Sequence, residues 1–356
     1  MPTDHPPDAE APVVSVLMPT FKHAAFIRRA LESLQAQTLR AWELIVVDDG
    51  SPDETPAVVA PYLRDRRIHY HRLPANRGLG AVLNVATRHA RGRYLAYLPS
   101  DDVYYPDHLA ALVEMLDVDP GAYLAYGGVR WAYERYGATL QGDGPVGHEA
   151  EALAQPVSSA KDELLPGRNI LALVQVMHRR EHEADVHWTE RDVVVSDRLE
   201  PDFWRALLAR GARFAYAGAI SCEWVEQLDQ RHKIIAGDFG GLARYRRYYG
   251  IGRREWINFQ PSRGVCVDER SRFGRFDAER DLPAPGGLKI LLAGELGFNP
   301  ERIVAFEERG HKLYGLWMPQ PHPWDATGPL PYGNIEDIPY ARGWPERVRE
   351  IRPDII

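Results

Sequence analysis

Two acidic clusters carry the residue types and spacing that chemistry needs. Asp101-Asp102 follows the apolar segment Tyr94 to Leu98 through Pro99-Ser100, and Pro106 then opens a helical stretch. Paired carboxylates are hard oxygen ligands and suit Mg2+ or Mn2+. Such an ion neutralises the charge that gathers on a diphosphate as it leaves. One carboxylate of such a pair usually reaches the metal while its neighbour reaches a sugar or a ribose. Alone, the pair also reads as a helix N-cap, where Asp is common. The second cluster, Asp48-Asp49-Gly50-Ser51, ends the apolar run Glu43 to Val47. A carboxylate there can accept a hydrogen bond from a base N–H or a ribose hydroxyl. Alone, Asp-Gly marks a turn. Together the two clusters favour the chemical reading.

The elements that must position these clusters are legible from periodicity. Val13 to Met18 is a valine-rich run and reads as a buried strand. Phe26, Ile27, Ala30, Leu31 and Leu34 then fall on one helical face. Glu43 to Val47, Ile68 to Arg72, Tyr94 to Leu98 and Tyr123 to Tyr126 read as further strands. Helices are expected over 54–64, around Leu79 to Ala86, from Pro106 to Leu116, and over 203–210. Strands alternating with helices predict an α/β fold with a mostly parallel sheet flanked by helices. Ligands bind such sheets at the carboxyl ends of the strands. Three polar clusters are expected there: Pro19-Thr20-Phe21, Asp48 to Ser51, and Ser100 to Asp102. From about 130 to 170 the pattern weakens, which predicts long loops of the kind that often cover a ligand.

Composition narrows the function classes. The chain has 356 residues, 45% hydrophobic and 26% charged, which fits about two globular domains. Its net charge of -7 argues against broad nucleic-acid binding. Cys222 and Cys266 form neither a disulfide framework nor a zinc spacing. Met1 to Pro12 is Pro- and Asp-rich and reads as a disordered N-terminus, not a signal peptide. With no run of 18 apolar residues, no membrane span is expected, and a cytoplasmic location is.

Val14-Ser-Val-Leu-Met-Pro-Thr-Phe21, Val46-Val-Asp-Asp-Gly-Ser51, Asn76-Arg77-Gly78-Leu79, and Ser100-Asp-Asp102 with Pro106-Asp107 resemble family 2 glycosyltransferases of the GT-A fold. The resemblance is strong over 13–127 and weaker to about 235. It implies an inverting transfer of a sugar from a nucleoside diphosphate, such as a UDP-sugar, to a saccharide or other hydroxyl acceptor, as in polysaccharide biosynthesis. Carried over, Pro19, Thr20, Phe21, Asp49 and Arg77 would line the donor pocket, and Asp48 would support its turn. Asp101 would face the ribose or sugar, and Asp102 would bind Mn2+ or Mg2+. Two departures stand out. Phe21 replaces the family's usual Tyr, and Lys22-His23 replaces Asn followed by an acidic residue. Competing readings are a degenerate domain that only binds nucleotide or sugar, and a nucleotidyltransferase. The latter would want a Gly-rich phosphate loop, which Pro19-Thr20-Phe21 is not.

The acceptor half is read from the same resemblance. Val176 to Arg179 and Trp188-Thr189-Glu190 resemble the stretch before the family's catalytic base, and Phe203-Trp204-Arg205 fits the helix after it. Counting back from that helix lands on Leu199, which cannot take a proton. Glu200 is the preferred base, then Asp197; Asp202 is a third carboxylate in reach. Helix capping is the alternative role for these acids. Asp229-Gln230-Arg231-His232 resembles a later family motif, in which His232 would ligate the metal and Arg231 would pair with phosphate. Arg244 to Arg254 interleaves arginines with Tyr245, Tyr248 and Tyr249. It reads either as a seat for an anionic acceptor or as a helix with inward tyrosines and solvated arginines.

The expected organisation is a GT-A domain over 13–276, a Pro/Gly linker over 277–287, and a partial Rossmann-like segment over 288–356. The last contains a strand at Leu288 to Ala293, a helix at Pro300 to Glu308, a strand at Leu313 to Trp317, a short helix at Arg347 to Arg352, and the start of another strand. It loosely resembles the opening of a GT-B glycosyltransferase, and reads as a truncated second domain. In the alternative, it packs on the transferase domain or on a second copy of the chain, making a homo-oligomer.

Overall fold

The computed structural model describes residues 11–133, 149–153, 171–181, 186–238, 240–252, 255–273, 282–293, 305–317, 335–339 and 343–356. Several expectations fall largely or partly outside these residues: the disordered N-terminus, the loops between 130 and 170, the linker 277–287, and the first part of the helix 300–308. The chain gathers into two compact units, Met1–Glu190 with Leu199–Leu228, and Arg191–Arg198 with Asp229–Ile356. The boundary expected at residue 276 lies inside the second unit. Residues 191–198 join that unit because Val195 pairs with Phe259, donating to the Asn258 carbonyl and accepting from Gln260 N–H.

The first unit opens with β1 (Val14–Thr20), α1 (Ile27–Gln35), β2 (Trp42–Asp48), α2 (Thr55–Val59), β3 (Ile68–Arg72), α3 (Leu79–His89) and β4 (Tyr94–Tyr97). Then come β5 (Val103–Tyr104), α4 (His108–Val118), β6 (Leu124–Tyr133), β7 (Glu149–Leu153), β8 (Val176–Arg179), α5 (Leu199–Ala209) and β9 (Phe214–Glu226). The sheet order is β3-β2-β1-β4-β8-β6-β9-β5, with β7 on β6. β1, β2, β3 and β4 run parallel, and β8 is antiparallel to both β4 and β6. All seven residues of β1 and all seven of β2 are buried, so both read as largely apolar runs, with Ser15 and Glu43 the polar residues inside them, rather than as alternating ones.

Each face of this sheet has its own core. Val14, Val16 and Met18 pack with Ile27, Leu31 and Leu34 of α1 on one side. Leu17, Ile45 and Val47 pack with Val82, Leu83 and Ala86 of α3 on the other. Each fully buried Val, Leu or Ile contributes roughly 1.5–3 kcal/mol. From β1 the chain adds β2 and β3 outward on one side, then returns to place β4 on the other. That reversal makes the crevice between the carboxyl ends of β1 and β4 a topological switch point, where such sheets bind ligands.

The second unit contains α6 (Arg231–Ala236), α7 (Leu242–Tyr249), the antiparallel pair β10 (Asn258–Phe259) and β11 (Val267–Asp268), and α8 (Glu269–Phe273). It also contains a parallel sheet of β12 (Lys289–Ala293), β13 (Lys312–Trp317) and β14 (Ile335–Pro339), in that order. Ile355 bridges Ile290 in parallel on the free side of β12. In α7 the tyrosine half of the expectation holds for Tyr245, which is buried. The solvated-arginine half fails for Arg246, which is 4% exposed. Arg246 pairs with the buried Glu269 and donates to the carbonyls of Gly252 and Glu255 at 2.8 and 2.7 Å. A distant carboxylate, invisible in the local pattern, draws the guanidinium inward. No helix among the described residues is long and apolar enough to cross a membrane.

Candidate active site

The two acidic clusters meet at Thr20, the last residue of β1. Its carbonyl accepts the N–H of Asp49 at 2.9 Å, and its Oγ1 accepts the hydroxyl of Ser100 at 2.9 Å. Parallel pairing sets this up: Thr20 lies opposite Asp48 at the end of β2, and Leu17 lies opposite Tyr97 at the end of β4. Pro19 and Thr20 are buried, and Phe21 is half-buried at the crevice.

Asp48 and Asp49 do different work. Asp48 is fully buried; Oδ1 accepts Ser51 N–H at 2.8 Å and Oδ2 accepts the Tyr70 hydroxyl at 2.5 Å. It closes the turn that Gly50 completes at φ +73°. A Cβ on Gly50 would lie 3.0 Å from the Ala75 carbonyl carbon, so the turn must be bare to lie against that loop. Asp49 Oδ1 accepts Arg77 N–H at 2.6 Å and Oδ2 accepts Gly78 N–H at 2.8 Å. It thereby pins the loop that starts α3.

Arg77 in turn donates from Nη2 to Glu190 Oε2 at 3.2 Å. Glu190 Oε1 accepts Asn84 Nδ2 at 3.0 Å, and the same amide brackets Trp188, donating to its carbonyl and accepting its N–H, both at 2.9 Å. Gly80 lets this happen: a Cβ there would sit 2.0 Å from the Thr189 carbonyl oxygen. Sequence reasoning named Arg77 for the donor pocket and placed Glu190 in the stretch before the catalytic base, but missed Asn84. Asn84 sits on the buried face of a helix, where a polar residue asks for a partner.

Asp101 and Asp102 are 9% and 3% exposed. Gln227 Nε2 donates to Asp101 Oδ2 at 2.7 Å, and Val225 N–H donates to Asp102 Oδ1 at 2.9 Å. Burial pushes the Asp102 carboxyl well above the usual range, and the charge of Asp101 pushes it further; the Val225 N–H and Arg29 pull it back. Two adjacent, poorly solvated carboxylates favour a bound cation, and their hard oxygens fit Mg2+ or Mn2+. Among the described residues no group of three or more His, Cys, Asp or Glu could hold a metal ion. An ion here would complete its shell with phosphate oxygens and water, as Mg2+ usually does.

Leu199, where the base was first counted, is 6% exposed and packs in the core with Phe203 and Trp204. Glu200 follows it in the first turn of α5, half-buried, and Asp202 pairs with Arg205 at 2.5 Å. Asp197 belongs to the second unit, where its carboxylate accepts the N–H and hydroxyl of Ser262. His232 is half-buried in the first turn of α6, also in the second unit, beside Arg231, which donates to the Ser196 carbonyl.

Residues 15–152 match the family model described as glycosyl transferase family 2. This segment is similar to family 2 glycosyltransferase domains. The sheet, parallel from β3 through β2 and β1 to β4 and flanked by helices, agrees with the α/β fold class expected from the sequence. CgeD of Bacillus subtilis is 37% identical over 120 residues, covering 32% of this chain and 28% of that protein. The succinoglycan biosynthesis protein ExoO of Rhizobium meliloti is 40% identical over 116 residues, or 33% of each chain. The match thus spans about a third or less of these relatives' own length. The mannosyltransferase PcManGT of Pyrobaculum calidifontis, solved with GDP-Man and Mn2+, aligns with 71% of this chain and 68% of its own. Its identity is 20% and its TM-score 0.49.

Proposed function

We propose that the first unit is an inverting glycosyltransferase that moves a sugar from a nucleoside diphosphate to a hydroxyl of a saccharide acceptor. The observation that carries this is the junction at Thr20, which joins the Asp48-Asp49 turn to Ser100-Asp101-Asp102 at the switch point. The surface there takes a nucleoside on one side and a diphosphate with its sugar on the other. Phe21 offers a ring face for stacking on a base. Asp49, by fixing Arg77 and Gly78, sets the wall of the nucleoside side. Asp101 accepts a hydrogen bond from the ribose or the sugar.

Asp102 would hold Mn2+ or Mg2+, which when bound supplies charge neutralisation at the diphosphate. Glu200 accepts the proton of the acceptor hydroxyl as that oxygen attacks the anomeric carbon from the face opposite the diphosphate. The bond from the anomeric carbon to the diphosphate breaks, and inversion follows from the single displacement. A role in polysaccharide assembly fits the similarity to ExoO, a succinoglycan biosynthesis protein.

A donor screen tests this reading. Purified protein is incubated with UDP-, GDP- and dTDP-sugars plus Mn2+, and both thermal stabilisation and nucleoside diphosphate release are read. A donor that raises Tm and releases nucleoside diphosphate upon adding a sugar acceptor supports it. Failure of the whole panel to shift Tm overturns it. Binding with no turnover on any acceptor leaves the domain a binding module.

A further inference from the structure

We infer that His23 and Gln227 are positioning residues that hold the Asp101 carboxylate for the donor, with His23 in the neutral tautomer carrying its hydrogen on Nδ1. This rests on the reading of Asp101 as donor-facing.

The hydrogen bonds run in one direction. A carboxylate accepts, so Gln227 Nε2 donates to Asp101 Oδ2 at 2.7 Å. The same amide nitrogen lies 3.4 Å from His23 Nε2, and its second hydrogen meets a lone pair there. The hydrogen of the neutral ring is then on Nδ1, which donates to Ser100 Oγ at 2.7 Å. Ser100 Oγ in turn lies 2.9 Å from Thr20 Oγ1, the acceptor for its own hydrogen. The chain reads Gln227 to Asp101 and Gln227 to His23, then His23 to Ser100 and Ser100 to Thr20. The peptide link between Ser100 and Asp101 closes it into a ring. In the other tautomer, two donors would face each other at Gln227.

The backbone is bent to build this ring. Lys22 sits at φ +57°, a left-handed conformation that non-glycine residues rarely adopt. Its N–H donates to Ser51 Oγ at 3.0 Å, and Ala24 N–H donates to Asp53 Oδ2 at 3.1 Å. These bonds hold the turn that aims His23 back at the end of β4. The ring edge of His23 also meets Phe26, with centroids 5.6 Å apart. Strain held in place by its surroundings next to a binding site is where positioning is expected.

The consequence is geometric: the N–H donated by Gln227 fixes the rotamer of the Asp101 carboxylate beside Asp102. Removing a hydrogen bond to a charged group costs about 1.5–3 kcal/mol, or tenfold and more in affinity.

Two measurements test this. Long-range 1H–15N NMR at pH 8, with the His23 signals assigned by their loss in His23→Gln, should show the Nδ1–H tautomer, and Gln227→Glu should displace it. Calorimetry with UDP and GDP in Mn2+ should show at least about tenfold weaker binding for His23→Leu and Gln227→Ala. His23→Gln, which can still donate and accept, should bind within about threefold of wild type. An Nε2–H tautomer in the wild type, or wild-type binding by His23→Leu, overturns the inference. If wild type binds neither nucleotide, the proposed function is struck, and the tautomer alone then decides whether the ring exists as described.

Discussion

Asp102 Oδ1 accepts the backbone N–H of Val225 at 2.9 Å, a bond that joins residues 123 positions apart in the chain. It anchors β9 beside the crevice and gives a nearly inaccessible carboxylate one of its few compensations. A buried carboxylate so placed costs stability in the empty protein, a cost typical of sites kept for function. Asp102→Asn keeps the acceptor for Val225 and removes the charge. It should leave the apo-protein's Tm equal to or above wild type. Mn2+-dependent binding of UDP or GDP should fall at least about tenfold, as expected when a charged ligand is lost. A lower apo Tm, measured by scanning calorimetry, would mean that the charge serves the fold instead.

Asn84 is the second test. Its single amide brackets the N–H and carbonyl of Trp188 and reaches Glu190. Asn84→Ala strands two buried backbone groups. Each costs about 1–3 kcal/mol when left unpaired, so about 2–6 kcal/mol is expected in urea unfolding. A loss under about 0.5 kcal/mol would show that the Trp188–Glu190 segment is held by its aromatic stacking on Phe203, whose ring lies 3.8 Å away.

Much of this was legible in the sequence, and the reason differs by element. β1 and β2 were plain because central parallel strands bury both faces and so read as largely apolar runs. The acidic turns were plain because the strands before them were. β9 was not. Its Phe-Ala-Tyr-Ala-Gly-Ala-Ile-Ser-Cys-Glu-Trp-Val-Glu run mixes small, polar and aromatic residues, half of them only partly buried, and Gly218 interrupts it at φ +77°. Yet β9 supplies Val225, and Gln227 follows it. A backbone N–H has no residue type to announce it, and a lone glutamine has no spacing. Likewise Leu199 occupied the counted base position because α5 turns that residue into the core, a matter of helix phase that motif counting does not carry.

The two buried histidines of the first unit predict an acid sensitivity. His178 donates from Nδ1 to the Arg179 carbonyl at 2.9 Å, so its Nε2 accepts the Tyr97 hydroxyl at 2.6 Å, as a neutral ring. His108 stacks on Tyr104 at 4.0 Å and bonds Ser221 Oγ at 2.8 Å. Burial lowers the pKa of His108 to about 3 and of His178 to about 4. In the unfolded chain both titrate near 6.5. The unfolded state therefore binds more protons between about 4 and 6.5, and stability falls as pH drops through that window. It is fully present above about 6.5. At pH 5.5 the loss should be about 1.4 kcal/mol per histidine relative to pH 8. Guanidinium unfolding at the two pH values, repeated with His178→Gln, checks this. The variant should lose about half of the difference contributed by the pair; an unchanged pH dependence would remove His178 from the account.

The buried pair of the second unit gives the last prediction. Arg246 and Glu269 are 4% and 0% exposed. Burial raises the Glu269 pKa, and Arg246 opposes that shift through its hydrogen bonds and charge. Glu269 also accepts Ile257 N–H at 2.9 Å, while Arg246 ties the carbonyls of Gly252 and Glu255. One ion pair thus gathers α7, α8 and the backbone on both sides of Trp256. Removing one partner leaves the other charged and unpaired in the interior, a change that typically costs 3–5 kcal/mol. Glu269→Ala should therefore lower stability by about that amount and expose Ile257 N–H to hydrogen exchange. Arg246→Met with Glu269→Leu removes both charges together and should recover most of the loss, because no buried ion is then left alone. Ile257 N–H loses its acceptor in both variants, so its exchange reports on the loop while the unfolding free energy reports on the unpaired charge. If protection persists in Glu269→Ala, the loop is held by packing around Tyr245 and Phe259, and the ion pair is not its anchor.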